Sequence, residues 1–149
     1  MSRTLKAIVF WLPPIFYLAL IYYLSSISYA RFGVKAPDYL LHFPEYFLLI
    51  ILLVRAVNFG LKKKVGILPV LLCSIFSIAY AASDEIHQYY VPGRDACFSD
   101  FLTDVAGIVV GALFIILYQR YSILRSHRSL VKKVPDPSLL KSDPEKGHE

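Results

Sequence analysis

Residues 83–121 read SDEIHQYYVPGRDACFSDFLTDVAGIVVGALFIILYQRY, a polar stretch that runs straight into one of the most apolar runs in the chain. A helix rises about 1.5 Å per residue, so about 20 residues cover the roughly 30 Å hydrocarbon core of a bilayer. VAGIVVGALFIILYQRY, 105–121, has that length and holds no charge before Arg120. Its solvent is therefore expected to be lipid, and the acids in front of it are expected at the membrane boundary.

Working outward, three more such windows appear: VGILPVLLCSIFSIAYAAS at 65–83, FPEYFLLIILLVRAVNFGL at 43–61 and AIVFWLPPIFYLALIYYL at 7–24. The 149-residue chain is 56% hydrophobic, with a mean hydropathy of +0.53, too apolar for an ordinary soluble domain. The expected fold is all-α: a polytopic membrane protein with four transmembrane helices in a bundle. The first window contains Pro13-Pro14 and no small-residue cleavage site follows it, which fits a retained span better than a secretory signal.

Orientation follows from the basic residues, because positive flanks stay cytoplasmic. Arg3, Lys6, Lys62, Lys63, Lys64, Arg120, Arg125, Arg128, Lys132, Lys133, Lys141 and Lys146 fall on one side, twelve in all. Arg31, Lys35 and Arg94, three residues, fall on the other. Both termini are expected to be cytoplasmic, so the 83–100 crossing faces outward. The net charge of +5 is accounted for by this bias and by the tail, leaving no reason to expect a nucleic-acid partner. Domain 1–121 is the membrane unit; 122–149 is expected to be a basic, disordered cytoplasmic tail, rich in proline and without helical period. Cys73 lies mid-helix and Cys97 in the outer loop, too far apart in depth for a disulfide.

Depth can be counted from the cytoplasmic anchors. Lys62 back to His42, Lys64 forward to Asp84, Lys6 forward to Ser26 and Arg120 back to Asp100 each span 20 residues, so all four polar ends reach one outer level. Asp104 lies one turn, about 6 Å, deeper. Positions three and four apart share a helix face. Ser77, Ala81, Asp84 and Gln88 form one such stripe, and Asp100, Asp104, Gly107 and Gly111 another. Gly107 to Gly111 is a GxxxG pair, the mark of a close-packing membrane face, expected here within the monomer. Asp38, His42 and Glu45 start the second helix in the same rhythm, and Tyr22, Ser25 and Tyr29 end the first.

Ionisable groups at membrane depth face a partner or a wet cavity. The stripes therefore predict one outward-facing polar pocket. Asp84, His87, Asp100 and Asp104 are its candidate catalytic residues; His42, Glu45, Glu85, Gln88 and Arg94 are its candidate ligand-binding residues. The Pro92-Gly93 turn is expected to deliver Arg94 close to Asp84 and Asp100, as an ion pair or as a forked donor to a phosphate or carboxylate. For His87 the plain structural expectation is a hydrogen bond to Asp84, one turn back. Two histidines and several carboxylates could hold zinc or manganese. Yet no His-x-x-x-His pair is present, and His42 and His87 lie on different helices, so no metal site is assigned and the cofactor is left unknown.

SDEIHQYYVPGRDACFSDFLTDVAGIVVGALF resembles the signature of VanZ-like membrane proteins: an acidic helix end with Gln, a Pro-Gly-Arg turn, and two aspartates four apart leading into a Gly-rich helix. DYLLHFPEYFLL, 38–49, is similar to that family's second-helix start. The resemblance covers roughly residues 8 to 120 and singles out Asp38, His42, Tyr46, Asp84, Glu85, His87, Gln88, Arg94, Asp100 and Asp104. It implies a multi-pass protein of the bacterial plasma membrane, linked through the family namesake to teicoplanin resistance, and brings no known reaction.

Three functions fit these expectations. The first is an envelope protein whose pocket binds a lipid headgroup, a cell-wall precursor or a glycopeptide, with membrane lipids and an anionic lipid-linked molecule as partners. The second is a membrane hydrolase or transferase acting on a lipid-linked substrate, with a desolvated carboxylate such as Asp104 as general acid or base. The third is a small ion-coupled transporter, disfavoured by four helices without internal repeat and by the position of Arg55, about 10 Å from Lys62 and able to snorkel.

Overall fold

The computed structural model describes residues 2–27, 39–59, 65–94 and 96–131. Tyr29, Arg31, Lys35, Asp38, Lys62 to Lys64, Asp95 and the tail from 132 onward lie outside them. Among the described residues the fold is four α-helices and no strand: α1 (Arg3–Ser25), α2 (Tyr39–Val57), α3 (Ile67–Tyr89) and α4 (Phe98–Val131).

Hydropathy windows misplace the ends of these helices, because hydropathy senses the solvent and not the backbone. α1 starts before residue 7 because Ser2 caps it, its hydroxyl accepting from the Leu5 amide at 3.2 Å. α2 starts at Tyr39 and not 43; it stops at Val57, where Asn58 turns its side-chain amide back to the Val54 carbonyl and Phe59 takes φ 48°. α3 runs six residues past 83 to Tyr89, since Glu and Gln are as good helix formers as most apolar residues. α4 begins at Phe98 and not 105, with Asp100 in its first turn, where a negative charge complements the helix dipole. It continues to Val131, so the first ten residues of the expected disordered tail, 122–131, are helical.

Pro13 and Pro14 sit inside α1, where each removes the amide that would reach back four residues. The helix continues, as membrane helices with interior prolines can. Its later part is tied to α3 by the Tyr80 hydroxyl, which donates to the Leu18 carbonyl at 2.7 Å.

α2 is the centre of the bundle. Tyr46, Leu49, Ile50, Leu53 and Val54 follow helical spacing and are all buried, and α2 touches each of the other three helices. α4 approaches it most closely. A side-chain carbon on Gly107 would stand 2.5 Å from the Phe43 carbonyl oxygen, and one on Gly111 would collide with the Ile50 side chain. The GxxxG face is thus spent on packing within the monomer.

Outside the core the bundle is sheathed in exposed Leu, Ile and Phe, among them Leu12, Phe16, Leu72, Ile75, Leu113 and Leu117. Three segments, Thr4–Ser25, Ile67–Tyr89 and Phe98–Arg125, are long and apolar enough to cross a membrane. An apolar surface this continuous is the surface of a membrane protein, in which lipid and not water is the solvent. Arg55 lies near the far end of α2 with its guanidinium 4.7 Å from the centre of the Phe10 ring, a cation–π contact that lodges it against α1.

Candidate functional site

The end of α1, the start of α2, the end of α3 and the start of α4 meet at one end of the bundle. There, His42 Nδ1 and Asp104 Oδ1 are 3.0 Å apart, and the two side chains are 6% and 0% exposed. Packing explains the meeting. Gly107, one turn below Asp104, lets α4 press onto the backbone of Phe43, the residue after His42.

α3 supplies the opposite wall through its Ser77, Ala81, Asp84 and Gln88 stripe, all four buried. Gln88 Nε2 donates to Asp84 Oδ2 at 3.0 Å and its carbonyl oxygen accepts from Arg94 Nη1 at 3.3 Å. Arg94 reaches this place from a tight turn. Its amide bonds the Val91 carbonyl at 3.1 Å, with Pro92 and then Gly93 at φ 80° between them, the pattern of a type II turn that needs glycine in third position. Arg94 Nε and Nη2 then donate to the Ile27 and Leu24 carbonyls at 3.1 and 2.8 Å. Leu24 is one of the last carbonyls of α1, which lack partners along their own helix, and a guanidinium suits them. Arg94 thus clamps the end of α1 and Gln88, the residue that also bonds Asp84.

Ser25, His42, Glu45, Asp84, Gln88 and Arg94 line, with three leucine and isoleucine side chains, a cavity of about 10 Å³. That is room for about one water. The cavity brings together His42, Glu45, Asp84, Gln88 and Arg94, leaves out Asp100 and Asp104, and is far too small for a headgroup.

His87 is not part of it. Its ring lies 4.6 Å from that of Tyr22, and its Nε2 is 3.0 Å from the Ser26 hydroxyl. Asp84, the expected acceptor for His87, accepts from Gln88 instead. Asp100 stays at the start of α4, buried, accepting from the Ser99 hydroxyl at 3.3 Å.

Glu85, expected among the ligand-binding residues, stands beside the buried pair. A carboxylate oxygen of Glu85, one of Asp104 and a ring nitrogen of His42 all lie within 4.8 Å of one another. Glu85 also lines a separate groove of about 510 Å³ between α3 and α4, with Ala82, Ile86, Tyr89, Tyr90, Ala96, Cys97, Phe98 and Phe101. The groove is almost wholly apolar. Glu85 is the one residue that belongs to both it and the His42–Asp104 cluster.

Ser25 Oγ, Tyr46 Oη, Glu85 Oε1 and Asp104 Oδ2 are buried at this end without a hydrogen-bond partner. Buried polar atoms are nearly always paired, so this concentration makes this end of the bundle the candidate site. Tyr46, which the family resemblance singles out, is fully buried. Its signal is spacing: it stands one turn after His42 on the same face.

No curated protein and no solved structure matches the chain. The family model described as VanZ/LLP1 matches residues 19–119, from the last turns of α1 through the Asp104 and Gly107–Gly111 face of α4, more than half of the chain. The chain belongs to the VanZ/LLP1 family.

Proposed function

We propose that this protein is a bacterial plasma-membrane protein of four spans, with both termini cytoplasmic, that holds a lipid-linked envelope molecule at its outer face. The hydrocarbon chain lies in the α3–α4 groove and the polar end meets Glu85 at the His42–Asp104 cluster. The observation that supports this most is the double membership of Glu85, which joins an apolar groove to a polar cluster with unpaired oxygens. The bias of twelve basic residues against three supports the orientation. Engaging such a molecule, or the acylated glycopeptide itself, would account for a contribution to teicoplanin-type resistance.

Ala82→Trp tests the groove. The indole would occupy the chain's place without touching His42 or Asp104. Mass spectrometry of lipids co-purifying with the protein is expected to show one anionic amphiphile enriched with the natural sequence and about tenfold depleted in the variant, a loss of roughly 1.4 kcal/mol. An unchanged lipid profile from a normally inserted variant would sink the proposal.

A second reading, a hydrolase or transferase on the same molecule, is favoured by the His42–Asp104 pair. A histidine oriented by a buried carboxylate at the end of a substrate groove is an arrangement that can move a proton. Asp104→Asn keeps the shape and removes the charge. Under this reading the amphiphile still co-purifies while its turnover falls about 10²-fold or more. Undiminished turnover would leave binding alone.

A further inference from the structure

We propose that His42, Glu85 and Asp104 form a site for one divalent transition-metal cation, zinc or manganese. The donors come from α2, α3 and α4, and one atom of each lies within 4.8 Å of the others. Independently, Asp104 is fully buried and its Oδ2 has no hydrogen-bond partner, and Oε1 of the half-buried Glu85 also lacks one. A His42–Asp104 ion pair satisfies Oδ1 alone. A cation satisfies the remaining oxygens together and offsets the charge of two carboxylates brought close in an apolar surrounding.

The donor set selects the ion. Two carboxylates with one imidazole suit zinc and manganese, whereas calcium and magnesium prefer oxygen throughout. Donors about 2.1 Å from one ion stand roughly 3–3.5 Å apart, so the cluster must contract slightly. His42 Nδ1 and Asp104 Oδ1 are already 3.0 Å apart; when the ion binds, the proton between them is released and their hydrogen bond gives way to bonds to the metal, while Glu85, with three rotatable bonds, closes the rest. Three protein ligands leave a coordination position open, as catalytic metal sites do. His42 also borders the cavity with room for one water, and Glu85 borders the α3–α4 groove, so the open position can take water or a groove ligand. The cation binds whether or not the groove takes a lipid.

The test uses the full chain in mild detergent, stripped with a chelator and titrated with zinc chloride and, separately, manganese chloride. One equivalent of zinc or manganese is expected to be retained on a desalting column, with a rise in the unfolding temperature. Glu85→Gln is the informative variant, because Glu85 is partly exposed and its amide keeps the shape. Its affinity is expected to fall roughly tenfold or more. In the manganese-loaded protein, pulsed electron paramagnetic resonance is expected to show nitrogen coupling from His42 that disappears in His42→Gln. No retained metal, equal retention by Glu85→Gln, or a manganese signal without nitrogen coupling would each overturn the assignment. An unchanged lipid profile in Ala82→Trp with metal retained is a failure of the lipid proposal alone, and loss of the lipid there with no metal retained by the natural sequence is a failure of this one alone.

Discussion

Gly107→Val is expected to destabilise the bundle by forcing α4 off α2. Already its first side-chain carbon would stand 2.5 Å from the Phe43 carbonyl oxygen and 3.1 Å from the Phe47 amide nitrogen. Both are backbone atoms of α2, so no rotamer relieves the clash and the helices must part. Overpacking of this kind costs about 1–3 kcal/mol. Separation here also pulls Asp104 away from His42, so the loss is expected at or above the top of that range. Reversible unfolding in mixed micelles measures it. Gly66→Ala is the control, since a carbon there meets only Pro69 at 3.6 Å, an ordinary contact, and stability is expected to stay within about 0.5 kcal/mol. If Gly107→Val unfolds like the control, the α2–α4 contact is not what holds the bundle.

Asp104→Val is the second large effect, and its partner variant makes it interpretable. Asp104 is fully buried against His42, so removing it leaves a buried imidazole without its acceptor. Breaking one side of a buried pair costs about 3–5 kcal/mol. Replacing both sides is different: His42→Leu with Asp104→Val puts apolar groups of similar shape where the pair was, and buried pairs exchanged in this way are often neutral. The double variant is expected to regain most of the lost stability. It is also expected to lose lipid co-purification, metal retention and any turnover. Full stability with lost function means the pair is kept for what it does. If the double variant is as unstable as the single one, the pair is structural, and the functional proposals lose their centre.

How much of this was legible in the sequence depends on whether the relevant contact lies along one helix or between several. Ser77, Ala81, Asp84 and Gln88, and Asp100, Asp104, Gly107 and Gly111, are stripes of single helices, and helical period alone placed them on buried faces. Glu85 follows Asp84 directly and falls off its stripe, so nothing in α3 by itself assigns it to the centre. Only the packing of α3 against α2 and α4 brings it to His42. His87 shows the converse: it lies three residues after Asp84, yet its ring is taken by Tyr22 on α1. Arg94 sits in a turn, where there is no period to read, and finds the last carbonyls of α1. Tyr46 was hidden for another reason, since an aromatic in an apolar run looks like core until its hydroxyl is seen to lack a partner.

The cluster has one member on each of α2, α3 and α4, and this has a consequence for biogenesis. During synthesis His42 and Glu85 leave the ribosome well before Asp104. Until α4 joins, an imidazole and a carboxylate wait near the membrane boundary without the group that completes their set. The Gly107–Gly111 face, which docks α4 onto α2, follows Asp104 directly. One late docking event thus seals the last helix and finishes the cluster together. A chain truncated before α4 would expose both groups, and membrane quality control could tell such a chain from a finished one by those groups alone.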